Sequence, residues 1–439
     1  MINQLLFAIA LIITLGVFAF TAWRYIRLFK LTQPAFPVRD FGKRFGLMMR
    51  VAFGQTKMFR RPIVGFIHAL VFWGFLVILV GSIEMVIDGL FGIERSLNVM
   101  GWFYNFLMAT GDIFALIIAV AIIIFLSRRL FMHIKRFEGV EMKHISHIDA
   151  NVALTIIFLL MVSLLGMNAA YVAHGTAVNA HIHGVFPVSE YIALAFGSLS
   201  VESMHLFHEI FWWSHILLIF VFANILPYSK HFHVFMSVPN VFLSRLEPLG
   251  KLPTMDSVTR EVKLMMNPET AFAAAPADAP VERFGVLDAE DASWKNYLDA
   301  LACTECGRCT EVCPANITGK KLSPRKVMMD LRARMKEKRD GLLKQGKEYS
   351  DGKSLVRDYI SEEELWACTT CNACAQECPI NIDHPKLIVD MRRYLVMEEG
   401  SAPGELKAMF SNIENNGAPW QYSPDDRLLW AEDLEMNKV

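Results

Sequence analysis

The sequence has no cysteine to spare. All eight lie in two short runs, so none is left for disulfides or for a reactive thiol elsewhere. A glycine-rich flavin or nucleotide fingerprint is missing, and so is any catalytic dyad. These absences argue against two-electron chemistry on a soluble substrate by this chain alone. Charge is scarce: 20% of the 439 residues are Asp, Glu, Lys or Arg, against 54% hydrophobic. That balance is too apolar for an ordinary soluble protein. The scarcity is also uneven. Residues 1–240 carry 17 Lys and Arg against 11 Asp and Glu, and the remainder carries 26 against 33. An apolar, basic half is thus joined to an acidic, cysteine-bearing one, and no nucleic-acid role is expected.

What is present is organised around those cysteines. Cys303, Cys306, Cys309, Cys313 and Pro314 are echoed by Cys368, Cys371, Cys374, Cys378 and Pro379. Each set is the C-x2-C-x2-C-x3-C-P run that holds cubane [4Fe–4S] clusters. Two intervening residues let three thiolates curl around one cube, while the fourth starts the next helix and points to the other. The expected ligand sets are therefore crossed: Cys303, Cys306, Cys309 and Cys378 for cluster one, and Cys368, Cys371, Cys374 and Cys313 for cluster two. Structural zinc sites pair C-x2-C knuckles at wider separation and without the trailing proline. Gly307, Pro314 and Pro379 are expected to shape the backbone whose N–H groups tune the cluster sulfurs.

Five apolar runs, at 4–23, 63–87, 105–126, 148–171 and 207–227, are long enough to span a bilayer. A shorter stretch, 186–199, contains Pro187 and Glu190 and is expected as an interfacial helix. In the first run the charges Arg24, Arg27 and Lys30 follow rather than precede the apolar residues, unlike a secretory signal. The 30–62 loop holds eight Lys and Arg and the 128–146 loop five, whereas 89–104 has only Arg95 and 173–206 none. The positive-inside rule then places both basic loops and everything after residue 228 in the cytoplasm, with the N-terminus outside. The expected fold class is an all-α membrane protein of the cytoplasmic (inner) membrane. It comprises a five-helix transmembrane bundle over 1–236, a surface segment and Ala/Pro-rich linker over 237–292, and a small helical two-cluster ferredoxin-like domain over 293–400. The tail 401–439 carries Phe410, Trp420, Tyr422 and Trp430 among polar residues, and suits either a partly ordered terminus or a strap for a partner.

The histidines suggest a second cofactor. A haem b in lipid needs two neutral imidazoles from facing helices. His68 is the only histidine of the second run, near its cytoplasmic end, and His233 sits at the cytoplasmic end of the fifth. Equal depth pairs them as axial ligands of one haem b, with His147 as the competing ligand. Taken as one helix, His215 and His233 would share a face about 27 Å apart, with His231 about 160° out of phase. Pro227 between them would kink that helix.

His215 through His233, with Pro227, Tyr228, Ser229 and Lys230 between, resembles the last helix of the cytochrome b family of nitrate reductase gamma subunits. The resemblance implies five spans, haem ligation by His68 and His233, and a second haem on His215. That family's second helix carries a further histidine where this chain has Ile78, so His215 lacks its partner; one haem is the default. Phe284 to Val286, Trp294 and Lys295, the two cysteine runs, Lys320 to Pro324 and Asp390 to Arg393 resemble the heterodisulfide reductase C-subunit family. This implies an electron relay to a partner bearing CCG motifs, or to a flavoprotein subunit. The chain has no CCG motif, so disulfide reduction at a cubane is not expected here.

Glu84, Asp88, Asp112 and Glu209 lie in or near the outer ends of the spans, beside His174 and His208. A carboxylate within a span is costly and commonly marks a proton path. Asp112, Glu84 and His208 are candidates for a proton or quinone site; the alternative is that such groups reach the interface. The expected function is the membrane-anchored electron-transfer subunit of a quinone-linked oxidoreductase complex. It would join a peripheral redox partner, two [4Fe–4S] clusters, haem b and the (mena)quinone pool. The alternative is a membrane tether whose clusters serve a heterodisulfide-reductase-like partner without a quinone site.

Overall fold

The computed structural model describes residues 2–267, 269 and 283–432. Among these the chain is helical, and no strand forms beyond isolated bridges. Five helices are long and apolar enough to cross a membrane. They are α1 (Ile2–Leu31), α3 (Pro62–Phe91), α4 (Trp102–Phe131), α5 (His144–Ala177) and α7 (Val201–Ile225). The first four outrun their apolar stretches at both ends, because polar residues at the rims continue the hydrogen-bond ladder once it has nucleated, whereas α7 starts early but stops at Ile225. Short helices α2 (Phe41–Met48) and α6 (Ser189–Ala193) lie in the connections, and the latter occupies the expected interfacial segment. The start of α3 at Pro62 and its end at left-handed Gly92 follow ordinary helix punctuation.

The bundle core is apolar. Ala115, Ile118 and Ile122 of α4 pack on Leu160, Met161 and Leu165 of α5. At Gly166 the ring of Phe211 comes so close that an added Cβ would sit 2.8 Å from it, which fixes how tightly α5 meets α7. Outward-facing Ile2, Leu5, Ile12, Ile63 and Phe106 are all more than half exposed, which suits a lipid-facing surface.

The last span departs from a single kinked helix. After α7 ends at Ile225, two three-residue turns follow, Leu226–Tyr228 and Lys230–Phe232. Helix α8 then starts at His233 and runs to Phe242. Pro227 supplies no N–H, and Ser229 turns extended, its Oγ accepting from the His231 backbone. The shared face and 27 Å spacing reckoned for His215 and His233 therefore do not hold.

Helix α9 (Asp256–Met266) follows. The Ala/Pro-rich linker falls largely on residues 268 and 270–282, outside the described residues. The cysteine-bearing part contains α10 (Trp294–Ala302), α11 (Arg308–Glu311), α12 (Pro314–Ile317), α13 (Pro324–Gln345), α14 (Glu362–Trp366), α15 (Ala373–Glu377) and α16 (His384–Met397). Reciprocal capping boxes, Ser293 with Asn296 and Ser361 with Glu364, start α10 and α14. Val327, Met328 and Leu331 of α13 meet Leu387, Ile388 and Met391 of α16 in the core. That core extends to Leu28 of α1 and to Phe232, so the two halves share one continuous apolar contact. In the tail, α17 (Gly404–Asn416) and a 3-10 segment leave Trp420, Tyr422 and Trp430 exposed.

Candidate electron-transfer site

The two cysteine runs follow the same backbone path. Glu305 and Thr370 occupy equivalent positions and both have positive φ, 56° and 54°. Gly307 and Asn372 repeat this at 76° and 61°, and cap α11 and α15. Left-handed conformation at a non-glycine residue costs free energy, and here it turns the loop around the thiols. In the second run the backbone N–H of Thr370 donates to Cys368 Sγ at 3.4 Å.

The eight thiols gather in two groups. Cys309 neighbours Cys306, Cys303 and Cys378, with Cys374 of the other group also near, and Cys374 neighbours Cys368, Cys313 and Cys371. The fourth cysteine of each run thus reaches the other run's group. Burial pushes the Cys303 thiol up to about 11 and Cys378 up to about 12, with neighbouring thiols adding to the effect. Crowded buried thiols are costly as thiolates unless positive iron shares the site, so the donor set fits a cluster. Cys371 is exposed, whereas Cys303, Cys309 and Cys378 are buried.

The first group faces the bundle. Lys57 Nζ donates to the Cys378 carbonyl at 3.1 Å, and Arg308 Nη1 donates to the Lys57 carbonyl at 3.0 Å. Arg61 pairs with Glu311 at 2.6 Å, and Arg60 with Glu377 at 3.2 Å. Arg325 of α13 is nearly fully buried and pairs with Glu141 at 2.7 Å; its guanidinium also donates to the carbonyls of Arg136 and Glu138. The basic loops 30–62 and 128–146 are thus the docking surface for the acidic half. The charge split was legible in the sequence, but these partners were missed. The one available signal was a basic residue, Arg308, inside a cysteine run.

His68 on α3 and His233 at the start of α8 lie close enough to interact electrostatically, and Arg308 is a further neighbour of His68. His68 Nδ1 is buried with no hydrogen-bond partner, so this is not a satisfied core histidine. His233 Nδ1 lies 3.3 Å from the Lys230 carbonyl, which can only accept; the proton is therefore on Nδ1, and Nε2 keeps its lone pair. A ligating histidine has this arrangement, and with His68 beside it the pair fits a haem iron. His147 instead neighbours Arg129 and Lys230, and His231 is bonded to Ser229 Oγ at 2.9 Å. His215, buried between α5 and α7, donates from Nδ1 to the Leu160 carbonyl at 2.9 Å. Ile78 packs among the apolar residues of the α4–α5 core.

At the opposite end of the bundle a cavity of about 330 Å³ is lined by Glu84, Asp88, Arg95, His208, Glu209 and Trp212, among others. His208 Nδ1 lies 3.2 Å from the Met167 carbonyl. Glu84 accepts from the Leu97 N–H at 3.0 Å and from the Tyr104 hydroxyl at 3.1 Å. Asp88 accepts from the backbone of Arg95 and Ser96. Asp112 stands apart from this cavity. Its carboxylate accepts from the Val188 N–H at 2.8 Å, the Ser189 N–H at 2.9 Å and the Ser189 hydroxyl, which pins the start of α6 to α4.

Residues 302–382 match the family model of the 4Fe-4S dicluster domain. Fold and site together define a multi-pass membrane protein with a C-terminal [4Fe–4S] dicluster domain. The chain is 28% identical to the EtfAB:quinone oxidoreductase of Syntrophomonas wolfei, over 98% of this chain and 60% of that protein. It is 29% identical to a probable iron-sulfur-binding oxidoreductase of Bacillus subtilis, over 98% of this chain and 61% of that one. A shorter stretch, 23% of the chain, is 32% identical to the C-subunit of a CoB–CoM heterodisulfide reductase of Methanosarcina acetivorans, covering 49% of it. The chain thus spans about three fifths of the length of the first two relatives. No solved structure matches it.

Proposed function

We propose that the chain is the membrane-anchored electron-transfer subunit of a quinone-linked oxidoreductase complex. Two [4Fe–4S] clusters, held by the crossed cysteine sets, and a haem b on His68 and His233 supply one-electron carriers. The observation that carries this reading is the contact of the first cysteine run with the membrane half, where Lys57 donates to the Cys378 carbonyl and Arg308 to the Lys57 carbonyl, together with the buried, unpartnered Nδ1 of His68 on the helix that follows. The chain's own residues then have defined tasks. Lys57, Arg61, Arg308 and Arg325 hold the dicluster domain against the bundle. The Nδ1–H of His233 orients its ring through the Lys230 carbonyl. The apolar contact of Leu28 and Phe232 with the dicluster core keeps water from the junction. By the positive-inside rule this junction lies on the cytoplasmic side, with the N-terminus outside.

The quinone part of the reading is supported by the name of the Syntrophomonas relative and by the cavity at the far end of the bundle. There His208 and Glu209 can exchange protons with a reduced ring, and Trp212 offers a flat apolar wall. Glu84 is sixteen residues along α3 from His68, about 24 Å. A quinone in that cavity would need an intermediate centre, and His215, with Nδ1 already bonded and Nε2 free, is placed for one. This favours, as a second reading, the two-haem arrangement of the nitrate reductase gamma-subunit family. The partner proposed is the one expected from the sequence, a flavoprotein or a CCG-bearing subunit.

The test is an optical redox assay on the purified full-length chain. Dithionite should bring up the bands of reduced haem b, and a menaquinone analogue should discharge them; pyridine extraction then counts one haem or two. A colourless bundle with intact iron–sulfur absorbance would overturn the haem reading and favour a simple tether.

A further inference from the structure

The two cysteine groups have unequal electrostatic surroundings. Most charges at the junction are paired off: Arg60 with Glu377, Arg61 with Glu311, Arg325 with Glu141, and both Lys230 and Arg332 with Glu305. Three cations beside the first group form no ion pair among the described residues. Lys57 gives its ammonium to the Cys378 carbonyl. Arg308, 3% exposed, lies between Cys306 and Cys309 and reaches back to the Lys57 carbonyl. The Arg136 backbone packs so closely on Gly307 that a Cβ there would fall 2.4 Å from its carbonyl, and Arg136 Nε is buried without a partner. Beside the second group, among the described residues, Arg392 plays this part, donating to the carbonyls of Leu365 and Cys368.

Reducing a thiolate-ligated cubane adds a negative charge to a site that is already anionic. A fixed cation nearby therefore favours the reduced state, and more so where burial limits screening. Water reaches the second group at exposed Cys371 and helps it too. Hydration there, however, also screens the single guanidinium of Arg392.

We propose that Lys57, Arg136 and Arg308 set the potential of the first cluster, making it the more readily reduced of the two. Two of these residues belong to loops of the membrane half, so docking onto the bundle tunes the cluster. The inference rests on the cluster assignment above. In the step it favours, one electron leaves the cluster beside Cys371, which is oxidised. The same electron enters the cluster against the bundle, which is reduced. No bond is made or broken and no proton is required. The electron comes from a one-electron protein donor that meets the exposed side.

The experiment is an EPR-monitored redox titration of the full-length chain and its variants. Lys57→Met and Arg136→Gln should each lower the midpoint of one signal by a factor of about ten in the reduced-to-oxidised ratio, ~59 mV for a one-electron couple. The other signal should stay in place. Lys57→Arg and Arg136→Lys keep the charge and should restore the midpoint. Arg392→Gln should move only the second signal, which assigns the two. The wild-type signal moved by Lys57→Met should be the one with the higher midpoint. Unchanged midpoints with full iron content, equal movement of both signals, or the lower midpoint for the first cluster would overturn the proposal. Absence of cubane signals from the wild-type chain would instead defeat the cluster assignment itself.

Discussion

The bundle and the dicluster domain are held together by opposite means. Between α4 and α5 the contacts are Ala, Ile, Leu and Met, and polar groups are few, with Asp112 accepting from Ser189 among them. In the dicluster domain a charged group sits at the centre. Arg334 is fully buried and pairs with Asp288 at 2.8 Å and with Asp351 at 2.6 Å, while Lys338 pairs with Asp288 and Glu290. Lipid demands satisfaction of every polar group within the bundle. The dicluster domain has an apolar core of its own, between α13 and α16, and adds buried ion pairs and cluster ligation to fix its loops. Each half is therefore vulnerable in its own way: the bundle to a lost brace, the dicluster domain to a lost ligand or a lost counter-ion.

That contrast is tested most severely by removing a ligand that crosses from one run to the other's cluster. Cys378→Ser should release about half of the ~8 non-haem irons and loosen the second half, because cluster binding is also folding energy. Iron analysis with limited trypsin digestion would show cleavage confined to residues beyond the fifth span. Equal resistance at half the iron would mean that the ion pairs suffice alone. Next in size is Arg334→Ala, which strips Asp351 of its cation and leaves Asp288 with Lys338 alone, and should cost about 3 kcal/mol, the low end for a broken buried pair. Denaturant titration followed by iron–sulfur absorbance reads it. A smaller effect is expected from Asp112→Ala, about 1–3 kcal/mol for the donors of Val188 and Ser189 left unpaired. That loss should appear as a lower melting temperature of the bundle with iron–sulfur absorbance unchanged.

The smallest effect is a pH dependence. The Arg334 guanidinium holds the Asp351 carboxyl below the ordinary carboxylate range. A depressed native value means that the stabilisation is fully present above about pH 4 and is lost as pH falls further, because the unfolded chain binds its proton first. The stability gap between the wild type and Asp351→Asn should be flat from neutrality to about pH 5 and should narrow below pH 4.

Sequence reading did well wherever spacing carries chemistry. The cysteine runs have a period that only cluster ligation explains, and the apolar runs have the length of a bilayer, so the all-α fold and the dicluster domain were legible. The relation of His215 to His233 was not, since helical phase is lost once Pro227 and extended Ser229 break the ladder. Nor was the role of Asp112, whose partner Ser189 lies 77 residues on, at the start of the short helix α6. The junction was half legible. The opposite net charges of the two halves were visible, but pairs such as Glu141 with Arg325, 184 residues apart, have no local signature.

The function proposed above puts an imidazole-held haem in the membrane half, on His68 and His233, next to the first cysteine group. Absorption spectra of His68→Ala and His233→Ala, each with cubane EPR on the same sample, test for it most directly. Both variants should lose the haem b bands while keeping both cubane signals. Haem bands of wild-type shape and intensity in both variants would contradict that placement.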